Sequence, residues 1–259
     1  MRRALLLCAA QLFMCLGVLG DMAAADELPD DAHISVGPGI YLTPSYPGAR
    51  STRSVPIPFI DAEYGNNLYS SAEDILGVYA YKSASTQVGA ALEYDLTERL
   101  SRDDERFRHL RNIDETERFK LFGTRTVSFI TGDTSVATDV AARRQGTLAQ
   151  ANLWASMPLI PKTMISVGPG INWADTRYMH TFFGVTDFQA AVSPLTPYVA
   201  RAGLVDFHWN GLETYELSSR WSVGASEYAA RLHGTAVDSP VTQRRAQTTV
   251  LAWLAYKVK

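Results

Sequence analysis

The chain has 259 residues, 46% of them hydrophobic and 20% charged. Its formal net charge of −3 argues against the basic face that a nucleic-acid partner requires, so none is expected. Both cysteines, Cys8 and Cys15, lie near the start, so the rest of the chain holds no disulfide, thiol nucleophile or cysteine metal site.

The first expected element is a signal peptide over 1–25. Arg2 and Arg3 precede an uncharged apolar run from Ala4 to Gly20, and the small residues Ala23, Ala24 and Ala25 precede Asp26 and Glu27. A basic start, an apolar middle and a small-residue cleavage site are the three parts of an export signal. The run is 17 residues long, short of the roughly 20 that a spanning helix needs. Cys8 follows Leu7 and Cys15 follows Met14, so lipid attachment at either is not expected. Cleavage is expected after Ala25, leaving one domain over 26–259.

From there the pattern has period two. Ile34, Val36, Pro38, Ile40 and Leu42 alternate with Ser35, Gly37, Gly39 and Tyr41. Val88, Ala90, Leu92, Tyr94 and Leu96 alternate with Gln87, Gly89, Ala91, Glu93 and Asp95; Ile165, Val167, Pro169, Ile171 and Trp173 do the same against Met164, Ser166, Gly168, Gly170 and Asn172. No apolar run after the signal approaches the length of a spanning helix. Twelve strands are expected, within a range of 10–14, at about 32–43, 55–64, 68–82, 86–96, 118–131, 134–143, 146–156, 162–174, 197–207, 212–218, 221–231 and 246–258. A soluble sandwich also alternates. Export, a second face of Gly, Ser, Asn and Glu, and Tyr41, Tyr64, Tyr94 and Trp173 near segment ends favour an all-β antiparallel transmembrane barrel in an outer membrane. A closed sheet pairs every backbone group without leaving an edge in lipid.

The heptapeptide Ile-Ser-Val-Gly-Pro-Gly-Ile occurs at 34–40 and 165–171. It reads as a repeated strand solution in which glycine admits another backbone and proline breaks a ladder. Two stretches interrupt the alternation. Residues 98–118 are dense in both charges, and 174–196 carries a short helix with Thr186 or Asp187 as its N-cap. Both are expected at the periplasmic end or in the lumen, with 44–54 and 232–245 outside.

Among candidate sites, Asp175, Arg177 and Tyr178 could bind a partner or gate the lumen at the mouth, or form a structural salt bridge at a strand end. Asp238, Ser239 and Pro240 read as a recognition loop or, more simply, as turn chemistry. The charged stretch 98–118 could dock a partner or be merely solvated. The five histidines, His33, His109, His180, His208 and His233, sit in no nucleophile or metal-binding motif. No enzyme activity, cofactor or metal is expected.

Several motifs in order resemble one family. They are Gly37-Pro-Gly-Ile-Tyr-Leu-Thr-Pro44-Ser-Tyr46-Pro-Gly48, Pro56-Ile-Pro58-Phe-Ile-Asp61-Ala-Glu-Tyr64-Gly65, Leu110-Arg-Asn-Ile-Asp114, and Trp173-Ala-Asp175-Thr-Arg177-Tyr178-Met-His-Thr-Phe-Phe183-Gly-Val185. Tyr215, Leu217, Trp221 and Leu232-His-Gly-Thr-Ala-Val-Asp238-Ser239-Pro240 complete the set. From about residue 33 onward the chain resembles the MltA-interacting protein (MipA/OmpV) family. The resemblance implies an outer-membrane barrel in contact with lipid, acting as a scaffold between a murein transglycosylase and a murein synthase. Porin-like or adhesive roles are described for other relatives, and no catalytic residues carry over. The alternative is a small pore for solutes or ions, whose lumen Glu93, Asp95, Asp61 and Glu63 would bias toward cations.

Overall fold

A computed structural model describes residues 32–258; the expected signal peptide and its cleavage site lie outside them. Twelve strands form one closed antiparallel barrel. They are β1 (His33–Pro44), β2 (Thr52–Tyr64), β3 (Leu68–Ser70), β4 (Asp74–Lys82), β5 (Thr86–Asp95), β6 (Thr116–Val127), β7 (Ile130–Asp139), β8 (Thr147–Ile160), β9 (Thr163–Ala174), β10 (Gly203–Glu216), β11 (Trp221–Leu232) and β12 (Ala246–Lys257). The ring closes where β1 meets β12, from Ser35 opposite Lys257 to Leu42 opposite Val250.

The expected fold is thus borne out, but two of its pieces are corrected. The stretch 68–82 is two strands, because Ser71 Oγ accepts the amides of Glu73 and Asp74 and turns the chain between them. The stretches 197–207 and 212–218 are one strand, β10, which runs unbroken through Trp209, Asn210 and Gly211. Its first residues are corrected too: 197–202 precede the strand. The two errors cancel in the count.

Alternation decides which side chains meet lipid. Leu76, Val88, Leu121, Val136, Leu153, Ile171 and Val223 stand exposed on the outside of successive strands. A soluble monomer rarely exposes an apolar patch beyond a few hundred Å², whereas this belt runs around the ring. Tyr64, Tyr81, Phe129 and Trp221 ring one end of it, and Phe119, Trp173 and Phe207 the other. Paired aromatic girdles suit the two interfaces of a bilayer. Tyr41, expected in a girdle, instead lines the lumen; its phase in β1 is that of Ser35, Gly37 and Gly39. Among the described residues no helix is long and apolar enough to cross a membrane.

The repeated heptapeptide does the same job twice. In β1 the ladder to β2 is continuous through Gly37 and Pro38, while the ladder to β12 skips them. In β9 the ladder to β10 is continuous and the ladder to β8 skips Gly168 and Pro169. Proline lacks the N–H for the broken side. A methyl built on Gly37 would overlap the Leu254 carbonyl, and one on Gly168 would overlap that of Leu153.

Connections are strongly one-sided. Both described termini and the short turns 65–67, 83–85, 128–129, 161–162 and 217–220 share one end. The loops 45–51, 96–115, 140–146, 175–202 and 233–245 share the other. Outer-membrane barrels put short turns in the periplasm and long loops outside. The expected placement of 98–118 and 174–196 at the periplasmic end, opposite 44–54 and 232–245, is therefore corrected. An antiparallel ring starting at β1 sends all four to the same end once 68–82 is counted as two strands and 197–218 as one.

Candidate functional site

The long loops build a packed cap over the mouth. Helix α1 (Thr176–Phe183) starts where Asp175 accepts the Tyr178 amide at 2.7 Å, a cap worth about 1 kcal/mol. Helix α2 (Asp187–Ala191) starts at Thr186 with a reciprocal capping box to Gln189, one of the two N-caps expected for it. Helix α3 (Gly234–Val237) follows β11. Met179, Phe182 and Phe183 of α1 are essentially inaccessible and pack with Ala200, Val205, Leu232 and Ala236. A second cluster joins the loops: Tyr46, Phe107, Leu110, Val185, Leu195 and Val241 are all buried together.

Polar clasps tie the same loops. The Ser239 hydroxyl donates to the Phe183 carbonyl at 2.6 Å. Arg106 donates through Nη1 to the Pro240 carbonyl at 2.9 Å and through Nε and Nη2 to Asp104 at 2.9 and 2.7 Å. Tyr46 also donates to Asp104, at 3.2 Å. Burial alone would raise the Asp104 pKa, but the hydrogen bonds from the Arg106 side chain and amide and from Tyr46 hold it below the usual carboxylate range.

The structure therefore gathers the expected candidates in the cap. Asp175 caps α1, Tyr178 and Phe183 are core, Ser239 and Pro240 are clasped, and Asp238 ends α3. Arg177 is exposed and forms no ion pair with Asp175. The charged stretch is not a merely solvated face either. Arg99 is 3% exposed and donates to the Phe182 carbonyl at 3.1 Å, while Arg118 is inaccessible and bound to Asp95 at 2.7 Å.

Beneath the cap the lumen holds a cavity of about 590 Å³. The β3–β4 turn enters it: Ala72 packs on the cluster of Leu251, Trp253 and Ala255 from β12, and Glu73 faces the cavity. Each cation on the wall is already occupied. Arg53 pairs with Glu98, and Lys120 pairs with Asp74 and, at 3.6 Å, with Glu93. Asp206 is held by His208 at 2.8 Å and by Tyr228 at 2.9 Å. The second ring nitrogen of His208 meets Asn152 Oδ1 at 2.8 Å, so neither nitrogen is free to act as a base. Asp133 accepts from Asn152 at 2.8 Å and from the Trp154 indole at 2.6 Å, without a cation. The Glu73 carboxylate accepts no hydrogen bond and forms no direct ion pair among the described residues.

Of the expected lumen carboxylates, Glu93 and Asp95 line this cavity, whereas Glu63 is bound to Lys82 at 2.8 Å and Asp61 sits beside His33 toward the turn end. Glu73, Lys120, Asp133 and Trp154 were not anticipated. Alternation along β6 to β8 could have shown the last three.

A family model described as MltA-interacting protein MipA matches residues 36–258. No curated protein matches the sequence. Among solved structures, the outer membrane protein OprD from Pseudomonas aeruginosa is 13% identical, with 86% of this chain and 65% of that one covered and a TM-score of 0.38. OmpT, an outer membrane protein of Vibrio cholerae, is 9% identical over 90% of this chain and 100% of that one, at a TM-score of 0.35. A Pseudomonas aeruginosa FadL homologue is 6% identical over 87% and 89%, at 0.36.

Proposed function

The chain belongs to the MltA-interacting protein MipA family, and from that membership we propose that it is an outer-membrane barrel that holds murein transglycosylase and murein synthase near the membrane. The match over residues 36–258 carries the reading. The lipid-facing belt and its two girdles support the location.

The one-sided connections say which face a cell-wall enzyme would use. A periplasmic partner meets the turn end, where Phe129, Ile160 and Leu217 are exposed beside Arg220 and Lys257. The cap lies on the far side of the bilayer. The test is capture of solubilised murein transglycosylase and synthase by the immobilised barrel. Replacing turns 161–162 and 217–220 abolishes capture, and deleting the tip of the 96–115 loop leaves it intact; the opposite pattern sinks the reading. An epitope placed at residue 84 stays hidden on intact cells, and one at residue 102 is displayed.

The second reading is a narrow pore for solutes or ions, favoured by the luminal cavity and its carboxylates. Planar-bilayer conductance separates the two.

A further inference from the structure

We propose that the lumen is a binding site for organic ammonium ions, with Glu73 and Asp133 receiving the charge. The inference rests on the cavity alone and does not depend on the murein reading.

The cavity is large enough for a small amine: its volume is about 590 Å³, within the range of small-molecule sites. Its charge balance is unfinished. Arg53 and Lys120 are committed to Glu98 and to Asp74 and Glu93. Glu73 and Asp133 line the cavity without a direct ion pair among the described residues. Asp133 is positioned rather than neutralised, because each oxygen takes one donor, from Asn152 or Trp154, and keeps lone pairs free. Glu73 is carried inward by a turn that sacrifices most of a wall strand: β3 has three residues, and β2 pairs with it only at Ala62, Glu63 and Tyr64. On the same wall Asn172, 7% exposed, gives its amide hydrogens to Asp206 and Tyr228 and leaves Oδ1 without a donor.

The walls favour an organic cation over a hydrated metal ion. Tyr41, Tyr69, Phe122 and Trp154 line the cavity with the carboxylates. Aromatic faces attract ammonium groups and desolvate their alkyl stems. A hydrated metal ion needs several converging oxygens, and no group of three His, Cys, Asp or Glu able to hold a metal occurs among the described residues.

Isothermal titration of the detergent-folded barrel with 1,4-diaminobutane, at fixed ionic strength set with potassium chloride, tests this. Saturable binding of one diamine is expected, and Glu73→Gln weakens it by about tenfold or more, as loss of a desolvated charge partner does. Asp133→Asn weakens it as well, and both variants keep the heat-modifiable gel shift of a closed barrel. Binding that is absent from the wild type, unchanged in a folded Glu73→Gln barrel, or equally displaced by potassium overturns the proposal. Capture of murein enzymes is read separately, so either proposal can fail alone.

Discussion

Ser239 and Phe183 lie 56 residues apart in sequence, yet the Ser239 hydroxyl donates to the Phe183 carbonyl at 2.6 Å inside the cap. That bond ties the loop after β11 to the end of α1, and both residues are buried. Ser239→Ala leaves a buried carbonyl unpaired and loosens the cap by about 1–2 kcal/mol. Faster proteolysis of the outer loops, with the barrel's gel shift unchanged, is the expected readout.

Acid opens the same cap. Asp104 titrates below the usual carboxylate range because Arg106 and Tyr46 hold its charged form. A depressed folded pKa gives stability that is present above the unfolded value, about 4, and is lost as pH falls through the folded one. Amide exchange in 241–243 should therefore accelerate below about pH 4, and Asp104→Asn should remove that dependence.

The repeated glycines are sites of steric exclusion. Gly168→Ala puts a methyl into the Leu153 carbonyl, at a cost of about 3 kcal/mol or more. Gly132→Ala, whose nearest neighbour is the Asn152 oxygen at 4.0 Å, is the tolerated control. Denaturant unfolding in lipid compares them.

Glu213 on β10 and Glu227 on β11 interrupt the belt. Glu227 is exposed at the middle of β11, on the outward phase of Val223 and Ala225. Glu227→Leu should raise stability in lipid by about 1 kcal/mol, the lower range for acidic side chains on a barrel's lipid face. The same substitution leaves the gel shift unchanged.

Much of the wall was legible because lipid imposes a strict rule on every second side chain. β1, β5, β9 and β12 could be placed to within a residue or two, since their apolar phase is clean. Where polar chemistry competes, periodicity misleads. Ser71 and Glu73 sit in a run whose hydrophobicity reads as strand, but the serine hydroxyl turns the chain and sends Glu73 inward. The loops hid α1, because its buried Met179, Phe182 and Phe183 pack against loops distant in sequence. Arg118 stood at the shared edge of a charged connector and a strand, and Lys120 inside that strand, so neither was read as luminal. Their positions opposite Ala91 and Glu93 put them on the luminal phase of β6.

The Gly48 amide donates to Gln247 Oε1 at 3.1 Å, joining the first and last hairpins of the ring 199 residues apart. All the long loops share one end of the barrel, and the partners of the cap first meet only when β1 reaches β12. Assembly is therefore ordered, with the wall inserted first and the dome over it setting last. Contacts of such sequence separation form slowly, so a finished dome certifies a sealed cylinder.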